Sequence, residues 1–381
     1  DMALSVSTYG WYRASITEFG APQDFTFTDN RQVWRFYYRV VRAANVVIDN
    51  LGGNDFTPVS DANKHNMGQA LALRAFAYFY LSQYFQKEYI ATEEILPLYI
   101  EPLSTNLGKS PASEVYAQME KDLNDAITLL NGFNRTSKNQ VNQDVARMLL
   151  SYVLGAKGGR DADVATLTQQ IISAGNHTIL SSSELVASAG GVNGFDDVNS
   201  SSWLWGIDIT PDNNLGLVSW WGQIDSWSYS YAWAGDYKAI DQTLYNAIPS
   251  NDARKVQFFG NSGSGRYLQP LWKFKASSQI GGESQTVTAD YVYMRIEEMY
   301  LLNAEANANI GAVVAARTSL RALMDRRVPD ASYVNGLSGV ALQNEIYLQT
   351  RIELWGEGKS YLAMKRNKAT VIRGTNHLSF V

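Results

Sequence analysis

Four tryptophans and two tyrosines fall within residues 220–233, WWGQIDSWSYSYAW, separated mainly by serine, glycine and alanine. Side chains of this kind do their chemistry by stacking. The faces of a pyranose ring present C–H bonds that pack on indole and phenol rings while its hydroxyls reach polar groups, and each aromatic offers a large rigid surface at little entropic cost. Trp227, Tyr229, Tyr231 and Trp233 alternate along the chain, so in an extended segment they would share one face, roughly 6.5 to 7 Å apart. Trp220, Trp221 and Asp225 complete the candidate ligand site. Gln223 and Asp236 could hydrogen-bond hydroxyls, and Ser226, Ser228, Ser230 and Ala232 would leave ring faces unobstructed. The competing reading is a local core, because a loop-rich segment must bury apolar surface of its own. Both readings are open at this level.

Covalent chemistry finds little support. The chain has no cysteine, which excludes disulfides, thiol catalysis and thiolate metal sites. His65, His177 and His377 are too scattered for a usual zinc site and have no triad context, and there is no Gly-x-Ser-x-Gly elbow. Glycoside hydrolysis needs two carboxylates about 5 to 9.5 Å apart in a cleft. Glu353 with Glu357, or Glu298 with Glu305, could supply a pair on one helix face. For Glu353 and Glu357 an ion pair with Arg351 or Arg295 is the simpler role. The stretch GNSGSG at 260–265 lacks the Lys-Ser/Thr of a phosphate loop and reads as a turn. FDDVNSS at 195–201 lacks the spacing and closing glutamate of a calcium loop. The reading is a binding protein without catalytic residue, cofactor or metal.

A formal charge of -5 and a pI near 5.4 argue against a nucleic-acid partner, since counterion release needs a dense positive face. Aromatics make up 12% of the chain, a high share that must be placed in a core or on a recognition surface. No stretch approaches the roughly 20 apolar residues that span a bilayer.

The elements that must position these rings are mainly helices. Apolar residues recur every three to four positions from Asn30 to Leu51, ending at Gly52-Gly53, and again from Asp61 to Phe85, where two stripes predict burial on most sides. Ser110-Pro111 offers an N-cap and first-turn proline to a helix through Leu130. Val141 to Ala156 and Ala162 to Ala174 read as a helical hairpin about Gly158-Gly159. Serine, glycine, asparagine and aromatics dominate from Ser181 to Ala289, with one helical stretch at Tyr237 to Ile248. Helices return at Tyr293 to Ile310, Ala312 to Arg327 and Leu342 to Trp355, with a further turn or two after Gly358. Pairs of about 34 residues, as in residues 293–326, suggest tetratricopeptide-like hairpins. Trp203 and Trp205 read as a buried short strand, Trp34 and Trp355 as core; Trp11, Tyr12, Asn54 and Asp55 are further binding candidates.

Several stretches together resemble the SusD/RagB family of outer-membrane nutrient-binding proteins. Trp34, Tyr38 and VVRAAN at 40–45, ALALRAFAYFYLSQYF at 70–85 and SPASEVYAQMEKDLNDAITLL at 110–130 are similar to its N-terminal half. SAGNHTIL at 173–180, MRIEEMYLLNAEANANIG at 294–311 and RIELWGEG at 351–358 are similar to its turn, its arginine-then-acidic helix and its closing motif. After that motif the chain has Ser360 and Ala363 where the family commonly has arginine and aspartate.

The resemblance implies a mainly α fold and a single SusD-like domain over 1–381. Tetratricopeptide-like hairpins would form a scaffold over about 1–180 and 290–381, and a variable, aromatic-rich insertion over about 181–289 would carry much of the ligand site. It implies a glycan-binding protein, exposed at the cell surface and lipid-anchored to the outer membrane, that delivers oligosaccharide or polysaccharide to a SusC-like TonB-dependent transporter. The lipid-bearing N-terminal cysteine is absent from this sequence and is expected upstream of Asp1. The alternatives are a peptide-capturing member of the same family and a tetratricopeptide-type protein adaptor. The matched motifs are scaffold motifs, so no family ligand residue carries over.

Overall fold

A computed structural model describes residues 1–4, 24, 26–55, 60–186, 194–216, 219–227, 230–276, 287–372 and 374–376. The chain divides into two compact units, Asp24–Ala174 and Asp1–Gln23 with Gly175–Val381. It opens in strand β1 (Met2–Leu4), part of the second unit.

The 24–174 unit is a succession of helices in which each packs on the next: α1 (Thr28–Asn50), α2 (Asp61–Phe85), α3 (Ala112–Leu129), α4 (Gln143–Lys157) and α5 (Asp161–Ala174). The three-to-four spacing of α1 turns Val41, Ala44, Asn45 and Ile48 inward. Gly52 and Gly53 then take positive φ and end the helix. Ser60 caps α2, its Oγ accepting from the Asn63 amide at 3.2 Å. The helix is buried on most sides, as its two stripes predict. At Gly68 it approaches the end of α3 so closely that a Cβ would lie 2.8 Å from Leu130 Cγ. Inside this unit Arg74 of α2 donates to both Asp122 carboxylate oxygens on α3, at 2.8 and 2.7 Å, and to Asn45 Oδ1 on α1 at 2.9 Å.

Ser110 does not cap α3, against the sequence expectation. Ser110–Pro111 forms β3, antiparallel to β2 (Glu94–Leu96). The first amides of α3 are taken instead by loop carbonyls, Ala112 N by Glu93 O at 2.8 Å and Ser113 N by Ala91 O at 3.0 Å. Backbone acceptors supplied by a neighbouring segment satisfy a helix start as well as a side chain does.

The second unit contains β4 (Trp203–Ile207), α6 (Trp220–Ile224), β5 (Lys238–Ile240), α7 (Gln242–Ala247), β6 (Tyr291–Arg295), α8 (Ile296–Asn309), α9 (Val313–Met324), α10 (Gly339–Glu353) and α11 (Lys359–Arg366). β1 pairs with β5 and β4 with β6, both antiparallel. These pairings overturn two helix boundaries read from the sequence. Lys238–Ile240 is strand because β1 aligns on it, and α7 starts only where Asp241 accepts from the Thr243 and Leu244 amides at 2.9 and 3.1 Å. Likewise residues 291–295 are held extended against β4, so α8 begins at Ile296.

Helices α8 and α9 form the hairpin predicted over 293–326 and share a core with α10 through Leu301, Leu320, Leu323, Leu342 and Ile346. A second core joins Phe195, Trp221, Ile224, Ile240, Leu268 and Phe274 to Ile352 and Trp355. The irregular segment and the RIELWGEG motif are thus packed on one another. Among the described residues no helix is long and apolar enough to cross a membrane.

Candidate functional site

Tyr291 and Tyr293 stand two residues apart on β6 and so leave the same face of the strand. With Trp220 at the start of α6, Phe195, Phe274, Asp290 and the Gly356–Glu357–Gly358 turn, they line a half-open cavity of about 390 Å³. Small-molecule sites typically occupy about 300 to 1,000 Å³. The Trp220 ring is held edge-on by Phe274, centroids 4.7 Å apart at 90°, and lies 6.1 Å from Tyr291. Burial pushes the Tyr291 and Tyr293 phenols above their usual pKa. They therefore stay protonated at neutral pH and can donate as well as accept.

Glu357, in the cavity wall, is one end of a buried ion network. Arg254, Lys273, Arg295 and Arg327 meet Asp252, Glu297, Glu353 and Glu357, four cations against four anions, all with side chains at most 3% exposed. Glu353 is its centre: Arg295 reaches Oε1 at 2.8 Å, Arg327 both oxygens at 2.8 Å, and Arg254 Oε2 at 3.1 Å. Arg295 also donates to both oxygens of Glu357, at 2.7 and 2.9 Å. Burial alone would raise the Glu353 carboxyl, but the Arg327 and Arg295 guanidiniums overcome it and hold it well below the usual carboxylate range. The pairing of Glu353 and Glu357 with Arg295 agrees with the sequence reading. Arg351 instead reaches Asp1 at 2.6 Å. Of the other carboxylates considered, Glu298 lies 3.6 Å from Lys359 and Glu305 2.6 Å from Arg366.

Among the described residues of 220–233 the rings do not share one extended face. Residues 220–224 are helical, with the Ser219 hydroxyl accepting from Gly222 N at 3.2 Å. The 231–235 segment turns back, Tyr231 N donating to Gly222 O at 2.9 Å and Asp236 N to Tyr231 O at 2.8 Å. Trp220 reaches the cavity. Trp221, 1% exposed, cannot stack a ligand: it belongs to the core and donates its indole N–H to Asp290 O at 3.1 Å. Asp225 is fully buried and spends Oδ1 on the Trp227 amide at 2.8 Å, so its carboxylate faces the chain. Asp236 is likewise buried. Tyr231 is half-buried and Trp233 is 47% exposed. Tyr229 lies outside the described residues, as do Trp11 and Tyr12.

Trp227, half-buried, stacks on Trp272 with centroids 4.9 Å apart at 22°, and its indole N–H donates to Leu271 O at 2.5 Å. Phe259 lies 6.5 Å from it, and the Arg266 guanidinium stands 4.5 Å over Phe259. Trp203 and Trp205 form a buried strand and Trp355 is core, as the sequence predicts. Trp34 is not core: half-buried, it lines a cavity of about 300 Å³ in the 24–174 unit with Tyr38, Tyr99 and Arg42. Asn54 donates its amide to Ile100 O at 3.0 Å, a structural role.

Sequence reasoning missed Tyr291 and Tyr293 because the helical periodicity of 293–310 masked their alternation, which was the available signal. It missed Trp272, Phe259 and Arg266 because nothing local announces that they converge on Trp227.

Residues 5–153 match a SusD-like family model described as starch-binding and associating with the outer membrane, and residues 208–375 match the SusD family model. The chain belongs to the SusD family. Its fold is similar to a SusD-like carbohydrate-binding protein from Bacteroides vulgatus, at 26% identity and TM-score 0.76 over 98% of this chain and 76% of that one. A SusD superfamily protein from Bacteroides thetaiotaomicron shares 21% identity with TM-score 0.74 over 91% and 77% of the two chains. A laminarin-binding SusD-like protein shares 20% identity with TM-score 0.66 over 92% and 82%. A search of curated proteins finds no match.

In this SusD-family chain the two C-terminal motifs meet in space, Arg295 at the head of α8 on Glu353 and Glu357 of RIELWGEG. The glycine between those glutamates is required. Gly356 has φ +78°, and a Cβ there would lie 2.5 Å from Phe274 Cε2, in the ring that holds Trp220. Gly356→Ala is expected to destabilise the protein by about 1–3 kcal/mol through backbone strain and displacement of that ring. A urea midpoint that falls at unchanged slope, and partial recovery on adding Phe274→Leu, would bear this out.

Proposed function

We propose that the chain captures glycan on the aromatic faces of its 181–289 insertion and β6, without chemical turnover. The observation that carries this reading is the cavity in which Trp220, Tyr291 and Tyr293 converge from two elements. Rings supply flat apolar faces for a pyranose, and the two phenols supply hydrogen bonds that distinguish hydroxyl patterns. Trp227 and Tyr231, half-buried, and Trp233, exposed, add further rings to this surface. Glu353 and Glu357 are held in ion pairs and serve the scaffold rather than catalysis.

Membership of the SusD family and the carbohydrate-binding relatives support a glycan, and the outer-membrane description of the family model supports a place on that membrane. On this reading the protein is lipid-anchored at the cell surface and passes oligosaccharide to a SusC-like TonB-dependent transporter. Co-purification with a β-barrel encoded beside it tests the partner.

Isothermal titration against a panel of polysaccharides tests the site. Trp220→Ala and Trp227→Ala are each expected to weaken binding about tenfold, the value of one lost stacking contact with its buried area. Undiminished affinity in both variants would refute this placement, and a parent protein that binds no glycan would refute the function.

A further inference from the structure

We propose that α1 carries a second glycan-contact surface, made for a polyuronate: Arg31, Arg35, Arg39 and Arg42 take successive carboxylates, and the cavity beside Trp34 takes one sugar ring. This rests on the glycan-binding reading above and names a further surface and the class of glycan it fits.

The four arginines recur at steps of four, four and three residues in α1, and all are exposed. A helix advances about 100° and about 1.5 Å per residue, so they fall within a sector of roughly 80° along about 16 Å of its axis. No aspartate or glutamate occurs between residues 31 and 42. None of the four side chains forms an ion pair or hydrogen bond among the described residues. Arg74, Arg147 and Arg160 of the same unit, by contrast, each meet a carboxylate. Like charges three and four residues apart repel one another and weaken a helix. The stripe therefore costs α1 stability, and a ligand carrying a row of negative charges offsets that cost.

The stripe ends at a cavity. Arg42 lines the space of about 300 Å³ together with Trp34 and Tyr38, which lie along the adjoining flank of α1, and with Tyr99, Glu101 and Ser104. Trp34 meets Phe85 edge-on, centroids 5.1 Å apart at 84°, and leans on Tyr38 at 4.8 Å, so its ring is fixed before a ligand arrives. The Tyr99 and Ser104 hydroxyls have no hydrogen-bond partner among the described residues and are available to sugar hydroxyls. Glu101, exposed in the same wall, repels a ligand carboxylate and leaves the Arg42 side for it.

A linear polyuronate matches both features. Each of its units carries a ring face for the indole and a carboxylate bonded directly to that ring, and a guanidinium donates to a carboxylate through two parallel N–H groups. A flat anionic membrane would meet the arginines and leave the cavity unused. A neutral glycan would leave the four guanidiniums without a counter-charge. A nucleic acid calls for a denser positive field than a chain of net charge -5 offers.

The test is isothermal titration of the full chain with oligogalacturonate, the same oligomers after carboxyl reduction, dextran sulfate and a single-stranded oligonucleotide. It is repeated on a variant in which Arg31, Arg35, Arg39 and Arg42 are all replaced by Gln, and on Trp34→Leu, with circular dichroism as a check on folding. The arginines are exposed, so the fourfold variant is expected to fold. Oligogalacturonate is expected to bind the parent about tenfold or more tighter than its reduced form, and the fourfold variant to lose most of that preference. Trp34→Leu should weaken oligogalacturonate about tenfold. Added salt should weaken oligogalacturonate and spare its reduced form. Equal affinity for the charged and reduced oligomers, or a preference that survives the fourfold substitution, overturns the inference while leaving glycan binding intact. Dextran sulfate or the oligonucleotide binding as tightly as oligogalacturonate overturns the assignment to a polyuronate, and undiminished affinity in Trp34→Leu overturns the role of the cavity. Failure of the parent to bind these oligomers or any glycan in the wider panel overturns this inference and the reading it rests on.

Discussion

Glu353→Gln is expected to lower the stability of the protein by about 3–5 kcal/mol, the usual cost of breaking a buried ion network at one partner. The magnitude follows from what is left behind. Glu353 answers Arg254, Arg295 and Arg327, all nearly without solvent access. A neutral amide can satisfy part of their geometry and none of their charge. Arg351→Gln is the control, because its partner Asp1 lies in a pair whose arginine is 30% exposed. Exposed pairs contribute only about 0–1 kcal/mol. Urea unfolding of the two variants beside the parent decides the matter, and equal losses would mean that the network is not what holds this unit.

The same carboxylate sets a pH dependence. Its folded pKa is depressed well below that of an ordinary glutamate, with Glu357 shifted in the same direction. Their contribution is therefore present in full above the unfolded glutamate value of about 4.3. Below it the unfolded chain takes up protons that the folded network refuses, and stability falls as the pH drops toward the folded pKa. Glu353→Gln should flatten the acid limb of the stability curve; an unchanged limb would place the sensitivity elsewhere.

Asp122→Ala is expected to destabilise the 24–174 unit by a comparable amount, about 3–5 kcal/mol. It would strand the Arg74 guanidinium, fully buried, among α1, α2 and α3. Asn45 Oδ1 at 2.9 Å and Ile100 O at 3.2 Å would remain as acceptors, but neither carries the missing charge. The double variant Arg74→Met, Asp122→Leu separates charge from packing, since well-packed apolar replacements of a buried pair are often neutral or stabilising. Recovery of most of the loss in the double variant, read by circular dichroism in urea, is the expected result. A double variant as unstable as the single one would show that the pair fixes the helix arrangement itself.

The chain by itself determined its long helices. The bounds of α2 agree with the apolar pattern of 61–85, because a buried helical face is a property of residues three and four apart and needs no distant partner. Family motifs were legible for the same reason, each being one short continuous stretch of sequence. Of the short strands, β4 was legible from the alternation of Trp203 and Trp205, but β1, β5 and β6 were not. β1 and β5 are joined across more than two hundred residues, and only that pairing makes Lys238–Ile240 a strand inside a helical pattern. Neighbouring rings had the same fate. Trp220 and Trp221 are identical in composition and adjacent in sequence, yet one lines the cavity and the other is core. One residue along a helix rotates a side chain by about 100°, so a single helical turn sends one indole outward and the next inward. Which of them met Phe274 edge-on at a cavity and which met Asp290 O in the interior was decided by what packs against α6, and that information lies beyond any local stretch of sequence.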